Sequence, residues 1–193
     1  MTEGWDWDYY WRVKREKQKG KSLLANKIII FSGKQYSGKD TVAKILLAQM
    51  PDFKRFAMGD VIKLEYGKQK GLTYEEIEKN KPIYRQDLID LGNWGRSIDP
   101  DYWLKKIISQ DGNIMVTDVR VPHEYEIFKS AGAVAIRVEA TREVRAKRGE
   151  LVGEADITEI GLDNITGWDF VIENNSDYET LKTKAFELVG KLS

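Results

Sequence analysis

The chain contains five short runs of apolar residues. Longer stretches, in which apolar residues recur with helical spacing, separate them. The longest runs cover 28–31 (Ile-Ile-Ile-Phe), 114–118 (Ile-Met-Val-Thr-Asp) and 133–138. Runs without polar alternation are typical of strands in a parallel sheet, because both faces of that sheet are covered. Shorter runs at 53–57 and 170–172 complete a set of five predicted strands.

The stretches between these runs carry helical signals. Val42, Ile45 and Leu46 share one face of a predicted helix over about 38–49, which Pro51 ends. Further helices are predicted from about Asp60, from a capping box at Thr73 and Glu76, over 82–95, from Asp99 and Pro100, from Pro122 to Gly132, from Thr141 to Arg148, and from a capping box at Ser176 and Glu179. Alternating strands and helices predict an α/β fold, a three-layer α/β/α sandwich around a five-stranded parallel sheet.

Composition narrows the classes of protein that remain. The chain has 193 residues, which suits one domain, and its 31 basic and 31 acidic residues balance. This balance predicts no nucleic-acid partner, and no apolar run approaches the roughly 20 residues that span a membrane. With no cysteine and the single histidine His123, thiolate zinc sites and multi-histidine sites are excluded. We expect a cytoplasmic protein, monomeric or homodimeric.

Residues 1–26 differ from the rest of the chain. A cluster of aromatic residues between Trp5 and Trp11 is followed by a run of lysines and arginines. We interpret this segment as an N-terminal extension to a domain that spans 27–193. The extension either packs its aromatic side chains on that domain or docks on another surface or subunit.

The segment between the first predicted strand and helix has the pattern G-x-x-x-x-G-K, from Gly33 to Lys39. Such a P-loop, or Walker A motif, lets backbone N–H groups converge on phosphates, and the helix that follows adds its positive dipole end. Lys39 is expected to reach the β- and γ-phosphates. The residues predicted to bind ATP here are Gly33, Lys34, Gln35, Ser37, Gly38, Lys39, Asp40 and Thr41.

The residue after the P-loop lysine departs from the usual pattern. Serine or threonine is common there and binds Mg²⁺ through its hydroxyl, whereas this chain has Asp40 followed by Thr41. A carboxylate is also a hard oxygen ligand for Mg²⁺. We therefore predict that Asp40 and Thr41 bind the metal ion, directly or through water.

Charged residues elsewhere supply the other groups that phosphoryl transfer needs. Asp118 ends a predicted strand, two residues before Arg120, where ligands of open parallel sheets bind. Arg142, Arg145 and Arg148 lie on a short basic helix, followed by a glycine-rich stretch, 149–166, that is predicted to be a mobile loop. This pattern is typical of a lid over a triphosphate, here over about 141–162, in which Arg142 and Arg148 bind ATP and Arg145 takes part in catalysis.

Three separated cations, Lys63, Arg85 and Arg96, fall in the helical stretch between the second and third predicted strands. An insertion at this place, about 59–110, is expected to hold the acceptor. Three cations together suit a phosphorylated acceptor.

Several motifs together resemble known families. The segment 33–41 reads G-K-x-x-S-G-K-D-T, 91–103 reads L-G-x-x-x-R-x-x-D-P-D-x-W, and 117–120 reads T-D-V-R. These motifs resemble phage-type deoxynucleoside monophosphate kinases. The same framework is similar to animal-type phosphomevalonate kinase, which shares F-S-G-K-x-x-S-G-K-D and the G-L-D-N segment at 161–164. The resemblance implies a nucleoside-monophosphate-kinase fold from about residue 28 onward.

The resemblance also implies roles for individual residues. Lys39, Asp40, Asp118 and Arg120 would form the transfer site, Lys63, Arg85 and Arg96 would bind the acceptor together with Arg120, and the arginines of the basic helix would belong to the lid. Lys39, Asp118, Arg120 and Arg145 are the expected catalytic residues. ATP and Mg²⁺ are the expected cofactors.

The identity of the acceptor is the open question. The Asp-Pro-Asp-x-Trp segment favours a (deoxy)nucleoside monophosphate, and Gln35, Tyr36 and Val121 stand where phosphomevalonate kinases carry cations. Our hypothesis is therefore ATP-dependent phosphorylation of a (deoxy)nucleoside monophosphate to the diphosphate. Phosphomevalonate or another small phosphorylated molecule is the alternative acceptor. A non-catalytic nucleotide-binding regulatory module is the alternative of a different class.

Overall fold

A computed structural model describes residues 27–108, 110, 112–151 and 153–192, so the predicted extension 1–26 lies outside the described residues. Within this part of the chain, five strands form one sheet: β1 (Ile28–Ser32), β2 (Phe53–Phe56), β3 (Asn113–Val116), β4 (Val134–Glu139) and β5 (Phe170–Glu173). The strand order is β2-β3-β1-β4-β5, and every pair of neighbours is parallel. The predicted five-stranded parallel sheet is confirmed.

Helices connect these strands. The described helices are α1 (Lys39–Gln49), α2 (Met58–Lys70), α3 (Tyr74–Lys79), α4 (Lys81–Ile98), α5 (Tyr102–Ile108), α6 (Pro122–Ser130), α7 (Arg142–Arg148), α8 (Ile157–Ile160) and α9 (Tyr178–Leu192). Helices α2 to α5 all lie between β2 and β3, where α2 contacts each of the other three. None of the helices in the described ranges is long and apolar enough to cross a bilayer.

Two hydrophobic cores lie on opposite faces of the sheet. Ile28 and Ile30 of β1 belong to the core beneath α2, α5 and α6, whereas Ile29 and Phe31 belong to the core beneath α1 and α9. Successive side chains of a strand point to opposite faces, so an unbroken apolar run fills both cores at once. The predicted three-layer α/β/α sandwich is confirmed.

Three local predictions differ from the structure. The helix predicted from Asp99 and Pro100 begins at Tyr102, because Asp99 still ends α4 and donates its N–H to the Gly95 carbonyl at 3.1 Å. The carboxylate of Asp177, not the Ser176 hydroxyl, accepts the Thr180 N–H at 2.8 Å at the start of α9. The stretch 149–166, predicted as a loop, contains the short helix α8.

Helices α4 and α5 are tightly packed against each other. The buried Trp103 donates its indole N–H to the Gly92 carbonyl at 3.0 Å, and its ring lies against Gly95. A Cβ added at Gly95 would lie 2.7 Å from the indole, closer than carbon atoms can approach. Residue 95 is therefore restricted to glycine by packing.

Gly95→Ala is expected to destabilise the protein by about 1–3 kcal/mol, because the indole or the helix must shift. The free energy of unfolding from urea titration measures the effect. Gly190→Ala is the matched control, since Gly190 also lies in a helix and faces open space. It should be neutral or stabilise by up to about 1 kcal/mol. Equal effects of the two substitutions would contradict the packing explanation.

Candidate active site

The loop between β1 and α1 surrounds a cavity of about 430 Å³. Its lining combines the loop with two arginines from elsewhere: Lys34, Gln35, Tyr36, Ser37, Gly38, Lys39, Asp40, Thr41, Arg120 and Arg148. Gly38 adopts a φ of 98°, which glycine accepts at no steric cost, and α1 begins directly after it. The loop therefore places its backbone N–H groups and the start of α1 around one space, as phosphate binding requires.

Lys39 is a buried cation at the start of α1. Its Nζ donates to both carboxylate oxygens of Asp40, at 3.0 and 2.9 Å. The side chain of Asp40 is 63% exposed, whereas that of Lys39 is 10% exposed. The pair thus presents a positive charge inside the cavity and exposed oxygen atoms at its mouth.

Asp118 lies beside this pair because β3 and β1 are neighbours in the sheet. Its carboxylate accepts the Met58 N–H, at 3.0 and 3.1 Å from the two oxygens, and so holds the start of α2. Burial raises the pKa of Asp118, although the Met58 N–H and the charges of Lys39 and Arg120 act to lower it. The same carboxylate therefore lies within the fields of the P-loop lysine and of Arg120.

Arg120 binds a carboxylate that the sequence did not indicate. Its Nη1 donates to Oε1 of Glu159 at 2.8 Å, and the Gln35 N–H of the P-loop donates to Oε2 of Glu159 at 2.9 Å. The Glu159 side chain is only 4% exposed. The one local sequence signal is its position two residues before the G-L-D-N segment.

A second acidic residue after helix α7 also contacts the P-loop. Asp163 accepts from Lys34 Nζ at 2.6 Å and from Arg137 Nη2 at 3.1 Å. Arg137 is buried in β4 and also donates to the Ser32 hydroxyl at 3.0 Å. Sequence reasoning missed Asp163 and Arg137, since their partners are distant along the chain.

The basic helix α7, predicted to be part of a lid, lies against the P-loop through two of its three arginines. Arg145 is buried and donates to the Gln35 carbonyl at 3.4 Å, and its Nε has no hydrogen-bond partner within the described part of the chain. Arg142 is mostly exposed and donates to Glu154 at 3.0 and 2.8 Å. Arg145 also donates to Glu154 at 3.4 Å, and together with Arg142 it lines a separate cavity that Lys34 and Ser37 of the P-loop also line.

Arg148 has a different environment. Its guanidinium donates to the carbonyls of Tyr36 at 3.1 Å and of Asn174 at 3.0 Å, with longer contacts to those of Ser37 and Ser176. These bonds connect the P-loop to the turn between β5 and α9. The structure thus places Arg148 on the wall of the cavity while its donors face backbone oxygens.

A second cavity, of about 400 Å³, lies between α2 and α4. Lys63, Arg85 and Arg96 all line it, together with Lys81, which the sequence analysis did not single out. The other lining residues are small, apolar or neutral: Gly59, Ile62, Leu88, Ile89, Gly92 and Asn93. None of the described residues that line this cavity is acidic.

The cations of this second cavity differ in how far they are neutralised. Lys63 Nζ contacts Glu78 at 2.5 Å and Asp60 at 3.2 Å; burial acts to lower the pKa of Lys63, but these two partners raise it. Arg85 and Arg96 form no salt bridge with any described residue. Burial raises the pKa of Glu124, although the charge of Arg96 acts to lower it, and the Glu124 carboxylate accepts the Arg120 N–H at 2.9 Å. Arg96 therefore lies at the end nearest the P-loop cavity.

No group of three or more acidic, histidine or cysteine side chains within the described ranges could hold a metal ion on its own. The exposed carboxylate of Asp40 and the hydroxyl of Thr41 nevertheless both line the P-loop cavity. Such oxygen atoms suit Mg²⁺, which keeps water ligands and shares phosphate oxygens. The residues present therefore fit an ion that is bound together with a nucleotide.

Comparisons with known proteins bear on the family and the fold of this chain. A family model described as phosphomevalonate kinase matches residues 31–133, and one described as deoxynucleotide monophosphate kinase matches residues 84–185. Shikimate kinase from Bacteroides thetaiotaomicron is similar in structure, with a TM-score of 0.51, 12% identity, and coverage of 87% of this chain and 99% of that chain. TT1252 from Thermus thermophilus has a TM-score of 0.50, 15% identity, and coverage of 87% and 98%. The P-loop kinase fold predicted from the motifs is confirmed.

Proposed function

We propose that this chain, which belongs to the P-loop kinases described by the phosphomevalonate kinase and deoxynucleotide monophosphate kinase families, uses ATP to phosphorylate a (deoxy)nucleoside monophosphate. The chain is a phosphotransferase of the kinase type, and the proposal concerns its acceptor and its site. The observation that carries it is the pairing of two cavities. One is built from a P-loop and has Arg120 in its lining, the other is lined by cations that include Arg96, and the Glu124 carboxylate that accepts the Arg120 N–H lies within the field of Arg96.

The P-loop cavity is the proposed site of the ATP phosphates. Backbone N–H groups and Lys39 would neutralise the β- and γ-phosphates, where charge develops during transfer. Asp40 and Thr41 would hold Mg²⁺, which neutralises phosphate charge and orients the triphosphate. Lys39 is well suited to the phosphate role because burial of its side chain limits the positions that its ammonium group can take.

Arg120 and Arg145 are the proposed ligands of the transferred phosphoryl group. The unpartnered Nε of the buried Arg145 supports this role, since an unsatisfied buried donor costs free energy that an anionic ligand would recover. Asp118 would fix the start of α2 beside Lys39, and its negative charge would orient the Lys39 and Arg120 cations. The acceptor phosphate is already ionised at neutral pH, so no strong general base is needed.

The second cavity is the proposed acceptor site. Arg96 would bind the acceptor phosphate at the end nearest to Arg120. Arg85 lies 11 residues earlier on α4, about 16 Å along the helix axis, with Leu88 and Ile89 between them. A nucleoside fits a cavity that is cationic at both ends and apolar between them. Its base is largely apolar on its flat faces and carries acceptor oxygens or nitrogens at its edge.

Phosphomevalonate is the second candidate acceptor, and one observation favours it. Four cations, Lys63, Lys81, Arg85 and Arg96, line the cavity without an acidic residue among its described lining. Phosphomevalonate carries a carboxylate in addition to its phosphate, and this second anion would match the distal cations Lys81 and Arg85.

The acceptor is tested by a coupled assay of ADP release with the dNMPs, the NMPs and phosphomevalonate. We expect at least one nucleotide to give a kcat/KM at least about 100-fold above that of phosphomevalonate, because a site that hydrogen-bonds a base edge discriminates strongly against a ligand that lacks it. Preference for phosphomevalonate would overturn the nucleotide assignment in favour of the second candidate. ATP binding without ADP release for any acceptor would instead favour a nucleotide-binding regulatory module.

A further inference from the structure

Glu159 occupies an unusual position for an acidic residue, because it lies among the groups proposed to bind phosphate. Its side chain is 4% exposed, and its two oxygens bind different partners. Oε1 accepts from the Arg120 guanidinium at 2.8 Å, while Oε2 accepts from the Gln35 backbone N–H at 2.9 Å. One carboxylate therefore connects the end of β3 to the P-loop, at sequence separations of 39 and 124 residues.

The backbone around Glu159 is packed against the same elements. A Cβ added at Gly161 would lie 3.1 Å from the Arg120 carbonyl, so the chain passes directly over Arg120. Two residues further on, Asp163 holds the P-loop residue Lys34 at 2.6 Å. The segment 157–163 is thus held against both the P-loop and Arg120 by contacts of three residues, Glu159, Gly161 and Asp163.

Burial of this carboxylate requires an explanation beyond stability. Replacing a buried ion pair by apolar residues is often neutral or stabilising, because desolvation offsets the Coulombic attraction. What a bridging carboxylate provides is geometry, since it fixes one orientation of a flexible arginine and one conformation of a backbone N–H. Both of these groups line the P-loop cavity.

We propose that Glu159 is a positioning residue, which aims the Arg120 guanidinium and fixes the P-loop at Gln35 so that both meet the transferred phosphoryl group in register. This inference rests on the proposed function, which gives Arg120 its role in transfer. It assigns to the segment 157–163 the connection between the P-loop and Arg120. An error of about 1 Å in the position of a transfer group lowers rate by up to about 100-fold.

The test is a double-mutant cycle between Glu159 and Arg120, with kcat, the KM for ATP and thermal unfolding measured for every variant. Glu159→Gln is expected to lower kcat by about 10- to 100-fold, with the KM for ATP changed less than about threefold. In the Arg120→Ala background the same substitution should lower kcat by less than about twofold, because the guanidinium that Glu159 positions is gone and glutamine keeps an oxygen that accepts the Gln35 N–H.

Asp163→Asn is the matched control, since Asp163 lies on the same segment but pairs with Lys34 and Arg137 instead of Arg120. Its effect on kcat should be the same in the wild-type and Arg120→Ala backgrounds. A second variant, Glu159→Asp, keeps the charge but is one methylene too short to hold both partners. It should fold even if Glu159→Gln does not, and it should show the same dependence on Arg120.

Four outcomes would overturn the inference. Equal effects of Glu159→Gln or Glu159→Asp in both backgrounds would mean a general structural role. A higher kcat or tighter ATP binding in these variants would mean that the carboxylate competes with phosphate. If Arg120→Ala lowers kcat and the Glu159 variants do not, the positioning role of Glu159 is refuted while the role of Arg120 in the proposed function stands. Full activity of Arg120→Ala would refute the role of Arg120 in the proposed function, and the positioning role of Glu159 would then lose its basis.

Discussion

Lys39→Ala is expected to lower kcat by about 1,000-fold or more while the protein keeps its fold. Removing one preorganised donor from a transition-state oxyanion costs about 100- to 1,000-fold, and a full charge at a transferred phosphoryl group is worth at least as much. The substitution leaves Asp40 without its ion-pair partner, but the Asp40 side chain is 63% exposed and water solvates it. Stability should therefore change little.

Lys44→Ala is the matched control for this prediction, because Lys44 lies on an exposed position of the same helix α1. It should keep kcat within about twofold of the wild-type value. ADP release gives the rates, and thermal unfolding shows that both variants are folded. Substantial turnover by Lys39→Ala would refute the assignment of this loop as the donor site.

Asp118→Asn is expected to lower kcat by about 100-fold or more without lowering stability at pH 7. The carboxylate lies within the fields of Lys39 and Arg120, and its loss changes the charge beside these two cations. Asparagine keeps an oxygen that accepts the Met58 N–H, so the start of α2 stays in place. The effect on rate therefore reports the charge and not the position of the helix.

The pH dependence of stability gives this variant a second readout. Burial raises the pKa of Asp118 above its ordinary value of 3.8. A raised pKa in the folded state means that the favourable contribution of this carboxyl is complete below the unfolded pKa and is lost as the pH rises through the folded pKa. Asp118→Asn should therefore melt at or above the wild-type temperature at pH 7, and this difference should vanish as the pH falls toward 4.

Asp118→Ala completes the comparison, because it removes the charge and also the acceptor. Leaving the Met58 N–H unsatisfied should cost about 1–3 kcal/mol of stability. If Asp118→Asn were destabilised as much as Asp118→Ala at pH 7, the ionised carboxylate would be stabilising, and the direction of its pKa shift would be wrong.

Much of the fold follows from local patterns in the sequence. The unbroken run Ile28–Phe31 predicts a strand covered on both faces, and the structure divides its residues between two cores. Thr73 and Glu76 form the predicted capping box, since both partners lie within one turn. Asp99 shows the limit of such patterns, because a cap residue can serve the helix behind it as well as the one ahead.

The sequence by itself also determined the P-loop and the neighbourhood of Asp118 and Lys39, because adjacent parallel strands end at the same edge of a sheet. Only the tertiary structure decided which charges meet. Glu159 reaches the P-loop across 124 residues, Asp163 reaches Lys34 across 129, and Glu78 contacts Lys63. Local periodicity determines which face of an element is buried. The partner of a long charged side chain depends on where distant segments pack, which spacing along the chain does not encode.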